Sequence, residues 1–351
     1  MERRKFINSI GMGSLALPLL SFQSLPTDSK QGKDEIILPP SQEEGDTVAI
    51  VSPASAIFES EPYEIARESF EALGLQVKFG AFTKSRYGHL AGTDEERAGE
   101  LMDMFRDPQI KAIIALRGGS GAARLLDRLD YEVIKANPKI FLGYSDITAL
   151  HLAIHKMTGL VTFHGPVAVS SWNPFAVGHL KRLVFGEEKI LYQNPDYTGN
   201  ELTRTENRIR TIRKGQARGR LLGGNLSVLT GIMGTPFFPK DWDQHILYIE
   251  DVGEKIYAID RMMSQLHLGG VLDQISGFVF GKCTDCEPGG SGYGSLTLEE
   301  VIDHYIRPLG IPAYSGAMIG HIDQNVTIPN GVMAEMDATK GTIQLLQPAV
   351  Q

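Results

Sequence analysis

Cysteine and tryptophan are nearly absent, with two of each in 351 residues. Both cysteines sit in one C-x-x-C pair, Cys283 and Cys286. A structural zinc site needs four ligands, so this pair alone cannot build one. Two readings stay open for it: small residues at a strand end, or a passive local disulfide. No thioredoxin-like context surrounds it that would suit redox work. The N-terminal segment contains no cysteine, which excludes a lipid-modified cysteine anchor there. An excess of positive charge is also lacking. Lys and Arg number 34 against 42 Asp and Glu, a formal net charge of -8. A general nucleic-acid binder needs a basic surface for phosphates, so that class is set aside. No apolar run is long enough for a stable membrane span. There is no internal repeat. At 42% hydrophobic and 22% charged, the chain has the balance of a globular protein with a real core.

What is present begins with an unusual N-terminus. Met1-Glu2-Arg3-Arg4-Lys5-Phe6-Ile7 precedes an uncharged stretch up to Leu25. A basic start followed by a short apolar run is the pattern of a signal peptide over 1–25. The Arg3-Arg4 pair with Phe6 resembles a twin-arginine signal, and the expected location is exported, periplasmic. Without that signal the location would be cytoplasmic. Residues 26–44 are polar and contain several Pro, Ser and Gln, which reads as a tether.

From residue 45 the pattern alternates between strand-like and helix-like segments. Short segments at 47–52, 76–79, 112–116, 140–142 and 161–163 read as strands, the first an apolar run that ends at Pro53. Helical spacing falls at 61–73, at 94–105 after the N-cap residue Thr93, at 122–129 and at 147–157. Repeated strand–helix–strand units predict a parallel-sheet α/β domain over 45–184. Residues 185–218 break the pattern. They are polar and carry Arg204, Arg208, Arg210, Arg213, Lys214 and Arg218 without interleaved aromatics, so they read as a solvated linker or an edge hairpin. A C-terminal domain is expected over 219–351. Its helices fall at 226–233, 256–268 and 298–306, and its strands at 246–249, 275–280, 326–328, 332–336 and 342–346.

The sharpest chemical feature is Gly143-Tyr144-Ser145-Asp146, between a strand and a helix. A serine on such a turn is pushed outward, its neighbours' amides point at the same spot, and the helix start favours developing negative charge. Ile147 stands where the G-x-S-x-G elbow has its last Gly, so a capped helix start is an equally open local reading. Serine chemistry needs a base. His151 and His155 share a helix face at i,i+4, but no H-E-x-x-H pattern or third ligand accompanies them, and they read as helix-face residues. His164, beside Gly165-Pro166, is expected in a pocket wall. His321, in Gly320-His321-Ile322-Asp323, sits on a loop at a strand end and could reach across a cleft. Glu250 ends another strand, where a carboxylate could orient an imidazole and stabilise its cation. Trp172 reads as a loop anchor.

The combination is more specific than its parts. Leu116-Arg-Gly-Gly-Ser-Gly-Ala-Ala-Arg-Leu-Leu126 is followed by Asn137-Pro-Lys-Ile-Phe-Leu-Gly-Tyr-Ser-Asp-Ile-Thr-Ala-Leu150 and Thr158-Gly-Leu-Val-Thr-Phe-His-Gly-Pro166. Leu222-Gly-Gly-Asn-Leu226, Ile249-Glu-Asp-Val-Gly-Glu254 and Gly320-His321 continue the series. Across residues 46–348 the chain resembles the LD-carboxypeptidase family, which also includes peptidases giving immunity to microcin C. The resemblance implies a Ser-Glu-His triad at Ser145, Glu250 and His321. It implies an oxyanion hole from the backbone amides of Asp146 and of the Gly118-Gly119 turn. It further implies an N-terminal parallel-sheet α/β domain with a smaller β-rich C-terminal domain, an active site between them, a homodimer, and no metal or organic cofactor. The implied reaction is release of terminal D-alanine from murein tetrapeptides across an L,D-amide. A peptidase acting on peptide-nucleotide antibiotics and an inactive cell-wall peptide-binding protein are the alternatives. The chain departs from the family at Ser120, where the turn usually carries Tyr, a change that bears on substrate preference.

Overall fold

The computed structural model describes residues 36–186, 188–289 and 294–351. The expected signal segment at 1–25 and residues 26–35 of the expected tether lie outside the described residues. Residues 36–44 do not behave as a tether. Ile37 pairs by its backbone with Gly159 and Val161, Gln42 N donates to Val184 O, and Gln351 N donates to Pro39 O. The cause is apolar: Ile36, Ile37 and Leu38 pack against the core.

The first half runs β1 (Thr47–Val51), α1 (Glu61–Glu71), β2 (Gln76–Phe79), α2 (Asp94–Arg106), β3 (Ile110–Ala115), α3 (Tyr131–Ala136), β4 (Ile140–Gly143), α4 (Thr148–Thr158), β5 (Thr162–His164) and α5 (Pro174–Val184). Short 3-10 turns occupy Ala122–Arg128 and Ser145–Ile147. Strands β2, β1, β3, β4 and β5 lie in that spatial order and all pair in parallel. Because side chains alternate along a strand, β1 sends Ala49 and Val51 to one face and Val48 and Ile50 to the other. Helices α2, α3 and α4 cover the first face, and α1 and α5 cover the second. This explains the near-continuous apolar runs of the inner strands β1, β3 and β4. Helix α2 starts as its sequence dictates, with Thr93 and Glu96 forming a reciprocal capping box.

The second half contains β6 (Leu191–Tyr192), β7 (Arg210–Arg213), β8 (Gln216–Asn225), α6 (Leu226–Gly231), β9 (His245–Val252), α7 (Ile256–Leu268), β10 (Gly277–Thr284), α8 (Leu298–Ile306), β11 (Ala313–Ser315), β12 (Ile328–Asn330), β13 (Met333–Asp337) and β14 (Thr342–Leu345). Eight of these strands form a mixed sheet in the order β6-β14-β13-β8-β9-β10-β11-β7. The stretch 185–218 is therefore more than a linker: it supplies β6, β7 and the start of β8. Its cations meet carboxylates within the chain, Arg210 with Glu299 and Asp303, and Arg218 with Glu335. Strand β12 leaves its neighbours in sequence and pairs antiparallel with β5, so a C-terminal strand closes the first sheet. Residues 36–351 form one compact unit.

This topology fixes where a site can form. In a sheet ordered 2-1-3-4-5, the strand order reverses between β1 and β3, and ligands bind beyond the carboxyl ends of the strands there. The segments after β1, β3 and β4 carry Ser55, the Gly118-Gly119 turn and Ser145 respectively, and His164 is the last residue of β5. In the second sheet β8, β9 and β10 are also mutually parallel, and Glu250 lies near the carboxyl end of β9.

Candidate active site

Ser145 has φ 64°, the left-handed region that a non-glycine residue occupies only at a cost. Its position explains the strain. Strand β4 ends at Gly143, and the chain must reverse at once into the 3-10 turn Ser145–Ile147 that leads into α4. Two contacts enforce this turn. His151, on the second turn of α4, holds Gly143 O through Nε2 at 2.8 Å. The buried side chain of Asp146 accepts a 2.7 Å hydrogen bond from Ala122 N. The Asp146 carboxylate is thus structural, while its backbone amide stays beside Ser145. Burial raises the Asp146 pKa, and the Ala122 bond and the Arg97 charge oppose that rise.

The Gly118-Gly119 turn lies directly against this serine. A Cβ on Gly118 would fall 2.8 Å from Ser145 Cβ and 3.1 Å from its Oγ, so only glycine fits. Gly119 has φ 112° and would press a Cβ into Ser55. Ser55 ties the turn at both ends: its N–H donates to Gly118 O at 3.3 Å, and its Oγ accepts from Ser120 N at 3.0 Å. Ser120 therefore holds the turn by its backbone. One step further on, the buried guanidinium of Arg97 donates to Gly121 O and Pro53 O and pairs with Asp94. Ser55 and Arg97 went unnoticed in the sequence because each acts on a turn far along the chain and neither belongs to a local motif.

The structure brings His321 and Glu250 together. His321 Nδ1 donates to Glu250 Oε2 at 2.8 Å, and Glu250 is fully buried at 0% exposure. The contact depends on Gly320, with φ 131°, where a Cβ would lie 3.0 Å from Glu250 Oε2. Gly320 N donates to Asn325 Oδ1, and Thr284 Oγ1 donates to His321 O, so the loop is held from both sides. With Nδ1 engaged, Nε2 is the nitrogen left to exchange a proton. The ring packs on Tyr144 at 4.7 Å between centroids. Ser145, His321 and the Gly118-Gly119 turn line one cavity of about 260 Å³.

Behind the cleft lies a layer of uncharged imidazole. His164 is fully buried, and its Nε2 lies 3.9 Å from Glu250 Oε1. Burial holds its pKa well below the ordinary histidine value, and the neighbouring His151 and His321 push the same way. Burial likewise lowers His151 to about 4, against the opposing hydrogen bond it makes to Gly143 O. Among the described residues no group of three or more His, Cys, Asp or Glu is placed to hold a metal ion. Cys283 and Cys286 are joined as a disulfide at the end of β10, flanking Thr284. Trp172 donates from Nε1 to Ala168 O and meets Phe70 edge-on, which fits an anchor for its loop.

The chain matches the LD-carboxypeptidase N-terminal domain over residues 48–165 and the LD-carboxypeptidase C-terminal domain over residues 218–336. It is 40% identical over 304 residues to a probable murein peptide carboxypeptidase of Bacillus subtilis (strain 168), covering 87% of this chain and 92% of that protein. The structure of MccF in complex with glutamyl sulfamoyl guanosine superposes with TM-score 0.80 at 28% identity, covering 90% of this chain and 99% of that one. The muramoyltetrapeptide carboxypeptidase of Oxalobacter formigenes gives TM-score 0.71 at 28% identity, covering 85% and 97%.

Two outcomes follow from this geometry. Gly118→Ala pushes on Ser145, and a displacement near 1 Å costs roughly 100-fold. Its carboxypeptidase kcat/KM should fall by about that factor in steady-state assays, with a cooperative thermal transition retained. The second outcome concerns pH. The folded-state pKa of His151 lies below its ordinary 6.5, at about 4. Its contribution to stability is therefore present above 6.5 and is lost as pH falls through 4. Between pH 7 and pH 5 the unfolded chain takes up a proton that the folded chain refuses, a loss of about 2 kcal/mol. Urea unfolding of His151→Leu at the two pH values should show a pH-dependent loss smaller than wild type by about that amount.

Proposed function

Because the chain belongs to the LD-carboxypeptidase family, we propose that it is a serine carboxypeptidase releasing terminal D-alanine from murein tetrapeptides by hydrolysis of an L,D-amide bond. The observation that carries this reading is a strained Ser145 facing the same cavity as His321, whose Nδ1 is fixed by the buried Glu250.

The chemistry follows from these positions. His321 Nε2 takes the proton from Ser145 Oγ as the oxygen attacks the scissile carbonyl. Glu250 holds the imidazole in the tautomer with Nδ1–H and stabilises the imidazolium. The developing oxyanion meets the backbone amides of Asp146 and the Gly118-Gly119 turn, each donor contributing about 3 kcal/mol. The imidazolium then protonates the departing amine of D-alanine as the C–N bond breaks. Water, deprotonated by the same imidazole, attacks the acyl-enzyme and returns Ser145 Oγ–H. None of these steps calls on a metal or an organic cofactor.

A second reading, hydrolysis of a peptide-nucleotide of the microcin type, draws support from the likeness to MccF at TM-score 0.80. It would use the same triad on a different acyl group and a different leaving group. Export rests on the Arg3-Arg4 segment, and a homodimer on family analogy. Fractionation that finds the mature protein only in the cytoplasm would overturn export, and light scattering tests the dimer.

Mass spectrometry of a murein tetrapeptide incubated with wild type and with Ser145→Ala separates these readings. Wild type should remove one D-alanine and the variant none. Cleavage by both would withdraw the triad. Cleavage by neither, with turnover of an aminoacyl-sulfamoyl nucleoside by wild type, would favour the nucleotide substrate.

A further inference from the structure

The cleft has two compartments that meet at Tyr144, Ser170 and His321. The compartment holding Ser145, of about 260 Å³, has an apolar wall of Ile57, Val167 and Val169 and one permanent cation, Arg117. The other, of about 390 Å³, carries Asp323 beside Ile322 and Asn325. Charge is thus distributed in one direction across the catalytic pair: positive on the Ser145 side, negative beyond His321.

Arg117 has no carboxylate partner among the described residues that line its compartment. Its guanidinium donates a long hydrogen bond from Nη1 to Ala56 O at 3.4 Å. A guanidinium has five N–H donors, so most of its capacity is uncommitted. Position matters as much as charge. Arg117 immediately precedes Gly118, the residue pressed against Ser145, so its backbone is fixed relative to the nucleophile. Asp323 is differently engaged: it accepts from Ser171 Oγ at 3.1 Å, on the opposite side of His321.

An exopeptidase must tell a terminal residue from an internal one. The chemical difference is a free carboxylate three bonds beyond the scissile carbonyl carbon. Arginine is suited to that group, because its planar fork can take both oxygens at once. We infer that Arg117 is the specificity residue that binds the α-carboxylate of the departing residue, with Ile57, Val167 and Val169 receiving its small side chain. Asp323 sets the direction, since a terminal carboxylate placed on its side would meet like charge. This inference deepens the carboxypeptidase reading and rests on it. It does not touch the bond-making steps, which belong to Ser145 and His321.

The test compares a murein tetrapeptide ending in D-alanine with the same peptide ending in D-alaninamide. Wild type, Arg117→Met and Arg117→Lys are assayed as full chains, with release of D-alanine or D-alaninamide followed by mass spectrometry. Wild type should prefer the free acid by about 10- to 100-fold in kcat/KM, the range for a hydrogen bond to a charged group. In Arg117→Met the preference should collapse toward unity, mainly through a raised KM for the acid, and Arg117→Lys should keep part of it. A general loss of structure would lower both substrates together and leave the ratio intact. An unchanged acid-to-amide ratio in Arg117→Met, or in Arg117→Lys should the first variant not fold, overturns the role of Arg117 while the carboxypeptidase reading stands. Cleavage of neither peptide by wild type overturns that reading, and this inference with it.

Discussion

The hydrogen bond from His321 Nδ1 to the buried carboxylate of Glu250 is the contact on which the rest of the site depends. A carboxylate with no solvent exposure is costly to desolvate, and among the described residues neither Lys nor Arg pairs with it. Its second oxygen has no hydrogen-bond partner among the described residues and lies 3.9 Å from Nε2 of His164, which burial keeps neutral. In the proposed mechanism the cation that answers this carboxylate is the one that forms on His321 as it takes the proton of Ser145. Such an environment favours the transient imidazolium without rearrangement at the moment of reaction. Gly320 is required for the approach, and Asn325 and Thr284 hold the loop that makes it.

The two sheets explain how residues so distant in sequence meet. In the first, the carboxyl ends of β1, β3, β4 and β5 deliver Ser55, the Gly118-Gly119 turn, Ser145 and His164 to one edge. In the second, the end of β9 brings Glu250, and the disulfide-flanked end of β10 brings Thr284 to the His321 backbone. Strand β12 pairs with β5 and so joins the C-terminal segment to the first sheet. The arrangement is a cleft whose two walls are tied together by the fold itself.

Much of this was legible in the sequence, for identifiable reasons. Apolar runs located β1, β3 and β4 closely because both sheet faces are covered there and these strands are largely buried. Thr93 and Glu96 marked the start of α2 by a local chemical rule. Ser145 was visible because a strand–turn–helix places it, though the strained φ itself was not. Other features were hidden. Strands β6 and β7 lie in a polar, arginine-rich stretch whose charges are balanced by Glu299, Asp303 and Glu335, partners remote in sequence. The packing of residues 36–44 depends on contacts with Gly159, Val161, Val184 and Gln351, which no local pattern announces. The roles of Ser55 and Arg97 are tertiary in the same sense. His164, which the sequence places in a pocket wall, is instead fully buried with its Nε2 3.9 Å from the Glu250 carboxylate.

The central claim is that Ser145 is made nucleophilic by the His321–Glu250 pair. Reaction of the full chain with a serine-directed fluorophosphonate, followed by proteolysis and mass spectrometric mapping, addresses it most directly. The account predicts a single adduct on Ser145, formed rapidly in wild type and slowed by at least about 100-fold in Glu250→Gln and His321→Ala, in keeping with the usual contribution of general-base catalysis. An adduct on a different serine, or labelling of Ser145 at the wild-type rate in both variants, would contradict it.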